Sequence, residues 1–409
     1  MASHQATTSH QIDALVIGGG IAGLWILSAL RRAGRSAVLA EAADLGNGQS
    51  TCAQGIIHGG LKYALGGEVG QDARGVSEMP GIWTSEIQSA DDPLLAGATI
   101  LSPSAWLWRT DSLKSRIGML GARMALKTPA DAVPKERRPR LLMDTAGSVL
   151  EVMEPILEVR SVLKALADRN AGFVVKVDGP EGVEMTSRGG RIDQAILKNA
   201  GHEIRLAPEH VILAAGSGNE SLRTRLGLDP TRMQRRPLHM AMVRGPLPEF
   251  HGHCVDGNRT RVTITSTARN AEGHATWQLG GELAEKGVEQ SPEELICTAA
   301  RELRSILPAL DQTGLQWSTY RVDRAEMAHG GRRFHDAAII EDGDGHTLSC
   351  WPTKLALAPR LADLVINRVA SIHPATGLGN ALQDLPAPET APYPWETAAT
   401  WIERSDIPA

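Results

Sequence analysis

Residues 12–30, IDALVIGGGIAGLWILSAL, decide how this chain is read. The apolar run 12–17 meets three glycines and then an alanine- and leucine-rich stretch, the pattern of a strand feeding a helix through a tight turn. In Gly18-x-Gly20-x-x-Gly23 each glycine answers a separate steric demand. The first permits the turn, the second lets backbone approach a pyrophosphate, and the third lets helix and strand pack closely. Ile21 and Ala22, between the last two glycines, belong to the same expected contact. Residues 36–41, SAVLAE, read as the next strand, ending at Glu41. A carboxylate there accepts hydrogen bonds from adenosine ribose hydroxyls and repels a 2′-phosphate, which disfavours NADP; NAD and FAD both suit the unit.

Outward from this stretch, composition narrows the class. The chain has 409 residues, 42% hydrophobic and 22% charged, enough to bury sizeable cores. Its formal charge is -5 with no basic block, so nucleic acid is not an expected partner. Four cysteines, Cys52, Cys254, Cys297 and Cys350, lie far apart without metal spacing, as suits a reducing compartment. The first ten residues, MASHQATTSH, have no apolar core of an export signal, and no run reaches a membrane-spanning length. A cytoplasmic protein is expected, or one peripheral at the inner face of a membrane.

The predicted fold class is α/β (α+β overall): a Rossmann-like domain with a second substrate domain built on an antiparallel sheet. Residues 1–80, 150–225 and 335–385 are assigned to the discontinuous nucleotide-binding domain. Residues 81–149 and 226–334 are assigned to the substrate domain, where HMAMVRG, RVTITST and ATWQLGG alternate as antiparallel strands do. The stretch 76–135 is read as helices with several tryptophans, and Arg109 in WLWRT as a solvated head among them. SPEELICTAARELRSIL, 291–307, reads as a helix capped by its serine. Another helix starts near Pro359. The Pro-rich tail 386–409 is expected to wrap the surface.

Four segments carry a family resemblance. NGQSTCAQGIIHGGLKY, 47–63, resembles the flavin-approach segment of the D-amino-acid oxidase and glycerol-3-phosphate dehydrogenase superfamily of FAD proteins. The string Ile57-His58-Gly59-Gly60-Leu61 matches the glycerol-3-phosphate dehydrogenase branch as written, Tyr63 is retained, and Lys62 replaces an arginine. VILAAGSGNESL, 211–222, is similar to the strand and turn that close the FAD-binding domain. YRVDRAEM, 320–327, resembles the segment carrying a substrate-binding arginine, best matched by Arg324. WPTKLALAPRLADLV, 351–365, resembles the segment running under the flavin, with its lysine at Lys354, although Trp351-Pro352-Thr353 departs from the family's glycine-rich turn.

The resemblance implies FAD as cofactor, held by Gly18, Gly20, Ile21, Ala22, Gly23, Glu41, Ser50, Thr51, Ile57, His58, Ala215, Gly216, Lys354 and Leu355. It implies an oxidoreductase moving a hydride from a small, anionic, hydroxy-bearing substrate to flavin N5, with oxygen, a quinone or another carrier as electron acceptor. Lys354, Arg324, His58, Lys62 and Arg321 are the candidate catalytic residues; an arginine suits a planar clamp on carboxylate or phosphate. His58 is open between a base, a residue bonding backbone, and a covalent flavin attachment point. Arg244 is a weaker cationic candidate. Cys52 reads as a small buried filler, and His251 with His253 as a strand or turn pair, so no metal is expected. An amine or amino acid is the alternative substrate, and a flavin-binding protein without its own small substrate is the alternative class.

Overall fold

The computed structural model describes residues 9–59, 76–110, 132–256, 259–330, 336–343, 345–374, 377–403 and 405. Two eight-stranded sheets organise them. In the first, the opening strand His10–Ile17 lies at the centre between Ala37–Glu41 and His202–Leu213, parallel to both. Val174–Lys176 extends the parallel array on one side and Thr347–Trp351 on the other. Ala338–Asp342 closes that edge antiparallel. The apolar run that feeds the glycine turn is therefore buried on both faces, as a near-continuous hydrophobic strand requires. The helix Ile21–Arg32 packs with Val159–Arg169 and Ala358–Ile366 in one core, while Leu222, Leu378 and Leu382 pack over the other face.

The second sheet runs Ile402–Glu403, Gln316–Met327, Met233–Gly245, Ala275–Gly280, Arg259–Ser266, Gly252–Asp256, Ala105–Arg109, Val149–Val152, and is antiparallel except where Gly252–Asp256 pairs with Ala105–Arg109. The helix Pro292–Ile306 seals one face, burying Leu295, Ala299 and Leu303 against Ala241, Trp277 and Trp317. Strand alternation turns Met240, Gln278 and Tyr320 to the opposite face.

Two expectations need correcting. The WLWR stretch is a strand, not a helix, and Arg109 at its end is 5% exposed rather than solvated, because the strand sits inside the sheet. The tail also does more than cover the surface: Thr390 bridges to Leu45, Tyr393 is buried, and Ile402–Glu403 pairs with Gln316–Trp317. Among the described residues no helix is long and apolar enough to cross a membrane.

Candidate functional site

A cleft of about 940 Å³ opens where the parallel strands end, between the two sheets. Its floor is the glycine turn. Gly18 has φ +113°, and a Cβ there would lie 2.6 Å from Ala215 Cα, so only glycine fits. A Cβ on Gly23 would meet the Gly18 carbonyl oxygen at 1.9 Å, the close packing of helix on strand. Gly20 is different: its Cβ would meet only Ser50 Oγ, at 3.2 Å. As the N-cap of the helix Ile21–Arg32 it carries no capping side chain, and Gly18, Gly20, Ile21 and Ala22 all line the cleft. A helix N-terminus without a side chain from its own N-cap residue favours an anion there.

Glu41 lines the same cleft and is fixed by backbone, one carboxylate oxygen accepting from Gly19 N and the other from Ala43 N at 2.8 Å. Ser50 Oγ accepts from Ile21 N at 3.0 Å, and the Thr51 hydroxyl donates to Gly46 O at 3.1 Å. Across the cleft, Gly216 at φ +57° completes a turn held by Asn219. The fully buried Asn219 accepts from Ala215 N at 2.9 Å and donates to Leu213 O at 3.0 Å. Leu355 lines the cleft at the start of a short helical turn that leads into Ala358–Ile366.

Thus Gly18, Gly20, Ile21, Ala22, Glu41, Ser50, Thr51, Ala215, Gly216, Leu355 and Arg321 are brought to one cleft. Gly23 is packing beneath it, and Ile57 is fully buried in the core. Lys354 sits between the lining residues Pro352 and Leu355 without lining the cleft itself. Arg324 lies outside the lining and pairs with Glu285 at 3.1 Å. Arg321 donates to the carbonyls of Val288 and Gln290, both at 3.0 Å. Arg244 bonds Gln316 and stacks over Trp401, away from the cleft. Lys62, with Gly60, Leu61 and Tyr63, lies outside the described residues.

Several residues of this region were not singled out from the sequence. Tyr320 lines the cleft, donating to Cys52 O at 3.0 Å and accepting from Gln278 Nε2 at 2.9 Å. Burial drives the Tyr320 hydroxyl well above its ordinary pKa and pushes the Cys52 thiol up to about 11, so both are neutral. Cys52 is partly buried and lines the cleft instead of filling a core. Gln54 ties the cleft loop to the second sheet through Thr263 O and Gln278 O, each at 3.1 Å.

His58 is outside the cleft lining. Its Nδ1 lies 3.2 Å from Oε2 of Glu154, a carboxylate only 3% exposed that also faces His253 Nε2 at 3.6 Å. Burial alone would raise the Glu154 carboxyl, but hydrogen bonds from His253 and His58, with their charges, outweigh it and hold the group far below the ordinary range. A lone acid in the apolar run VMEPIL, 152–157, is the sequence signal that points to it.

A family model for FAD dependent oxidoreductases matches residues 13–351. The chain belongs to that family. It is 38% identical over 391 residues to a probable FAD-dependent oxidoreductase of Pseudomonas aeruginosa, covering 94% of this chain and 98% of the relative. The crystal structure of an FAD dependent oxidoreductase from P. aeruginosa superposes with a TM-score of 0.76 at 32% identity, over 95% of this chain and 98% of that one. Glycine oxidase from Geobacillus kaustophilus (TM-score 0.59, 16% identity, 88% and 96% coverage) shares the fold. So does L-alpha-glycerophosphate oxidase from Mycoplasma pneumoniae with FAD bound (0.62, 13%, 88% and 94%).

The protein is thus an FAD-dependent oxidoreductase. The residues present fit that cofactor: Gly20 lines the cleft with only the Ser50 hydroxyl near its Cβ position, beside a helix start whose own N-cap residue brings no side chain and a carboxylate at the end of the second strand.

Proposed function

We propose that this oxidoreductase dehydrogenates a small amine at the carbon bearing the nitrogen, with oxygen, a quinone or another carrier taking the electrons onward. The observation that supports an amine over an anionic hydroxy compound is the engagement of both arginines expected to clamp an anion. Arg321 is spent on two backbone carbonyls, and Arg324 on Glu285. The wall offered by Cys52, Tyr320 and Trp351 is neutral and largely apolar, which suits an amine bound in its uncharged form.

In this reading Gly18, Gly20, Ile21 and Ala22 would hold the FAD pyrophosphate and Glu41 the adenosine ribose. Ser50, Thr51, Ala215, Gly216 and Leu355 would hold the remainder. When bound, FAD supplies the hydride acceptor. The chain supplies orientation and exclusion of water: Tyr320, fixed between Cys52 O and Gln278, keeps the cleft wall in one arrangement so that little reorganisation is needed at reaction.

A second reading, oxidation of a hydroxy substrate, rests on the match of Ile57-His58-Gly59-Gly60-Leu61 to the glycerol-3-phosphate dehydrogenase branch, although His58 itself lies against Glu154 outside the cleft lining. Anaerobic titration of the holoenzyme separates the two. Amines should bleach the flavin absorbance, at a rate that rises with pH across the amine pKa, because only the uncharged amine loses hydride readily. Bleaching by hydroxy acids or polyol phosphates and by no amine would replace this reading with the second. Bleaching by nothing in the panel would favour a flavin-binding protein without a small substrate.

A further inference from the structure

The trio His58, Glu154 and His253 lies outside the cleft and is assembled from three distant segments. The stretch around Ile56 runs antiparallel to that around Ile156, with Ile57 N donating to Pro155 O at 2.9 Å. This pairing sets His58 opposite Glu154. The strand Gly252–Asp256 brings His253 from the second sheet. One donor atom from each of the three lies within 4.8 Å of the other two.

We infer that His58 Nδ1, Glu154 Oε2 and His253 Nε2 form a binding site for a divalent first-row metal ion, which fastens the loop lining the FAD cleft to the antiparallel sheet. The inference is independent of which substrate the cleft takes. Four observations carry it.

The first is spacing. Zinc bonds of about 2.0–2.1 Å in a tetrahedron put ligand atoms about 3.3 Å apart. The two separations from Glu154 Oε2, 3.2 Å and 3.6 Å, bracket that value. Two imidazoles bound through nitrogen to one such ion would have ring centres about 5 Å apart; here they are 5.4 Å apart.

The second is the donor set. Two imidazole nitrogens and one carboxylate oxygen select zinc and its neighbours over magnesium or calcium, which prefer oxygen alone. Three protein ligands leave a position for water.

The third is the shell behind the donors. His253 Nδ1 lies 2.9 Å from the Thr263 hydroxyl, a contact that orients the ring and directs Nε2 toward Glu154. The other Glu154 oxygen accepts from Gly59 N at 2.8 Å. Ligating imidazoles and carboxylates are held in this way by a partner on their second atom.

The fourth is burial. His253 is 2% exposed and Glu154 3%, and a metal ion between them would compensate the buried carboxylate in place of the imidazole protons that otherwise do so. His251, which with His253 reads as a strand or turn pair, accepts from Ser266 N at 3.3 Å and takes no part. His58, Glu154 and His253 come from segments far apart along the chain, so their spacing carries no metal signature.

The test uses the FAD-loaded protein. After EDTA treatment and re-equilibration with Zn²⁺, elemental analysis should find about one zinc per chain. Glu154→Gln and His253→Asn should each lower zinc affinity about tenfold or more while FAD content is kept. Zinc contents equal in wild type and variants, or no zinc retained by the wild type, would overturn the inference in favour of a plain ion-pair trio. Should both variants fail to fold, the wild type alone decides. Its melting temperature should rise by about 1–3 °C for each tenfold increase of Zn²⁺ above the dissociation constant. Zn²⁺-soaked crystals should show an anomalous peak between the three donors, and a peak elsewhere or none at all would overturn the site.

Discussion

At the residue scale, Gly20 and Gly23 make room for different things, and this gives a direct test of the cleft. Gly23 makes room for protein: its Cβ would stand 1.9 Å from a backbone oxygen that cannot step aside. Gly23→Ala should therefore cost about 1–3 kcal/mol of stability or prevent folding, measured by urea denaturation of the FAD-free protein. Gly20 makes room for ligand. Its backbone angles, φ -77° and ψ -179°, are open to alanine, and the only neighbour is a hydroxyl at 3.2 Å. Gly20→Ala should leave FAD-free stability within about 0.5 kcal/mol while weakening FAD about tenfold or more, by fluorescence titration. Equal FAD affinity in Gly20→Ala and wild type would remove the pyrophosphate from this turn. The difference between these glycines was legible in their spacing, because a strand, a turn and a helix within one short stretch are governed by local sterics. Glu154 was not singled out: its place in the apolar run 152–157 marks it, but its partners His58 and His253 meet it only through tertiary pairing.

At the element scale, legibility follows the same division between local and distant causes. The helix Pro292–Ile306 was readable because its signals are adjacent: Ser291 accepts from Glu294 N at 3.2 Å and the Glu294 side chain returns to Ser291 N at 2.8 Å. Removing that reciprocal cap by Ser291→Ala should cost about 1 kcal/mol, seen as a lower urea midpoint with unchanged slope. A change within experimental error would mean that packing of Leu295, Ala299 and Leu303 alone sets this helix. The WLWR segment was read with its helical surroundings although tryptophan favours strands. Its place in the sheet is set by pairing with Val149–Val152 on one side and Gly252–Asp256, far along the chain, on the other. The Ile402–Glu403 strand is short and sits in a Pro-rich tail, so nothing local announces its pairing with Gln316–Trp317. Cleft residues split by cause: Ser50, Thr51 and Gly216 were singled out within their recognised segments, whereas Tyr320 and Gln54, in recognised segments too, acquire their roles only from contacts across sheets.

At the scale of the whole molecule, burying imidazoles links stability to pH. His251 is 7% exposed, and burial pulls it down to about 4; burial likewise lowers His239 and His346. In the unfolded chain a histidine titrates near 6.5. A group whose folded pKa is depressed in this way is neutral in both states above 6.5 and contributes no penalty there. As pH falls from about 6.5 toward 4, the unfolded chain takes up a proton that the folded chain refuses, and stability drops by up to about 1.4 kcal/mol per pH unit for that one group. Across the window His251 alone withdraws up to about 3 kcal/mol. The unfolding free energy should accordingly decline steadily between pH 6.5 and 4.5, before the buried Glu154 carboxylate, whose pKa is also depressed, adds its own loss below about pH 4.5. His251→Gln removes the titrating group but keeps an acceptor for Ser266 N, so its stability should be lower at pH 7.5 and fall less steeply through the window. A variant with the wild-type slope between pH 6.5 and 4.5 would show that His251 is protonated in the folded protein, and would shift the pH dependence to His239 and His346.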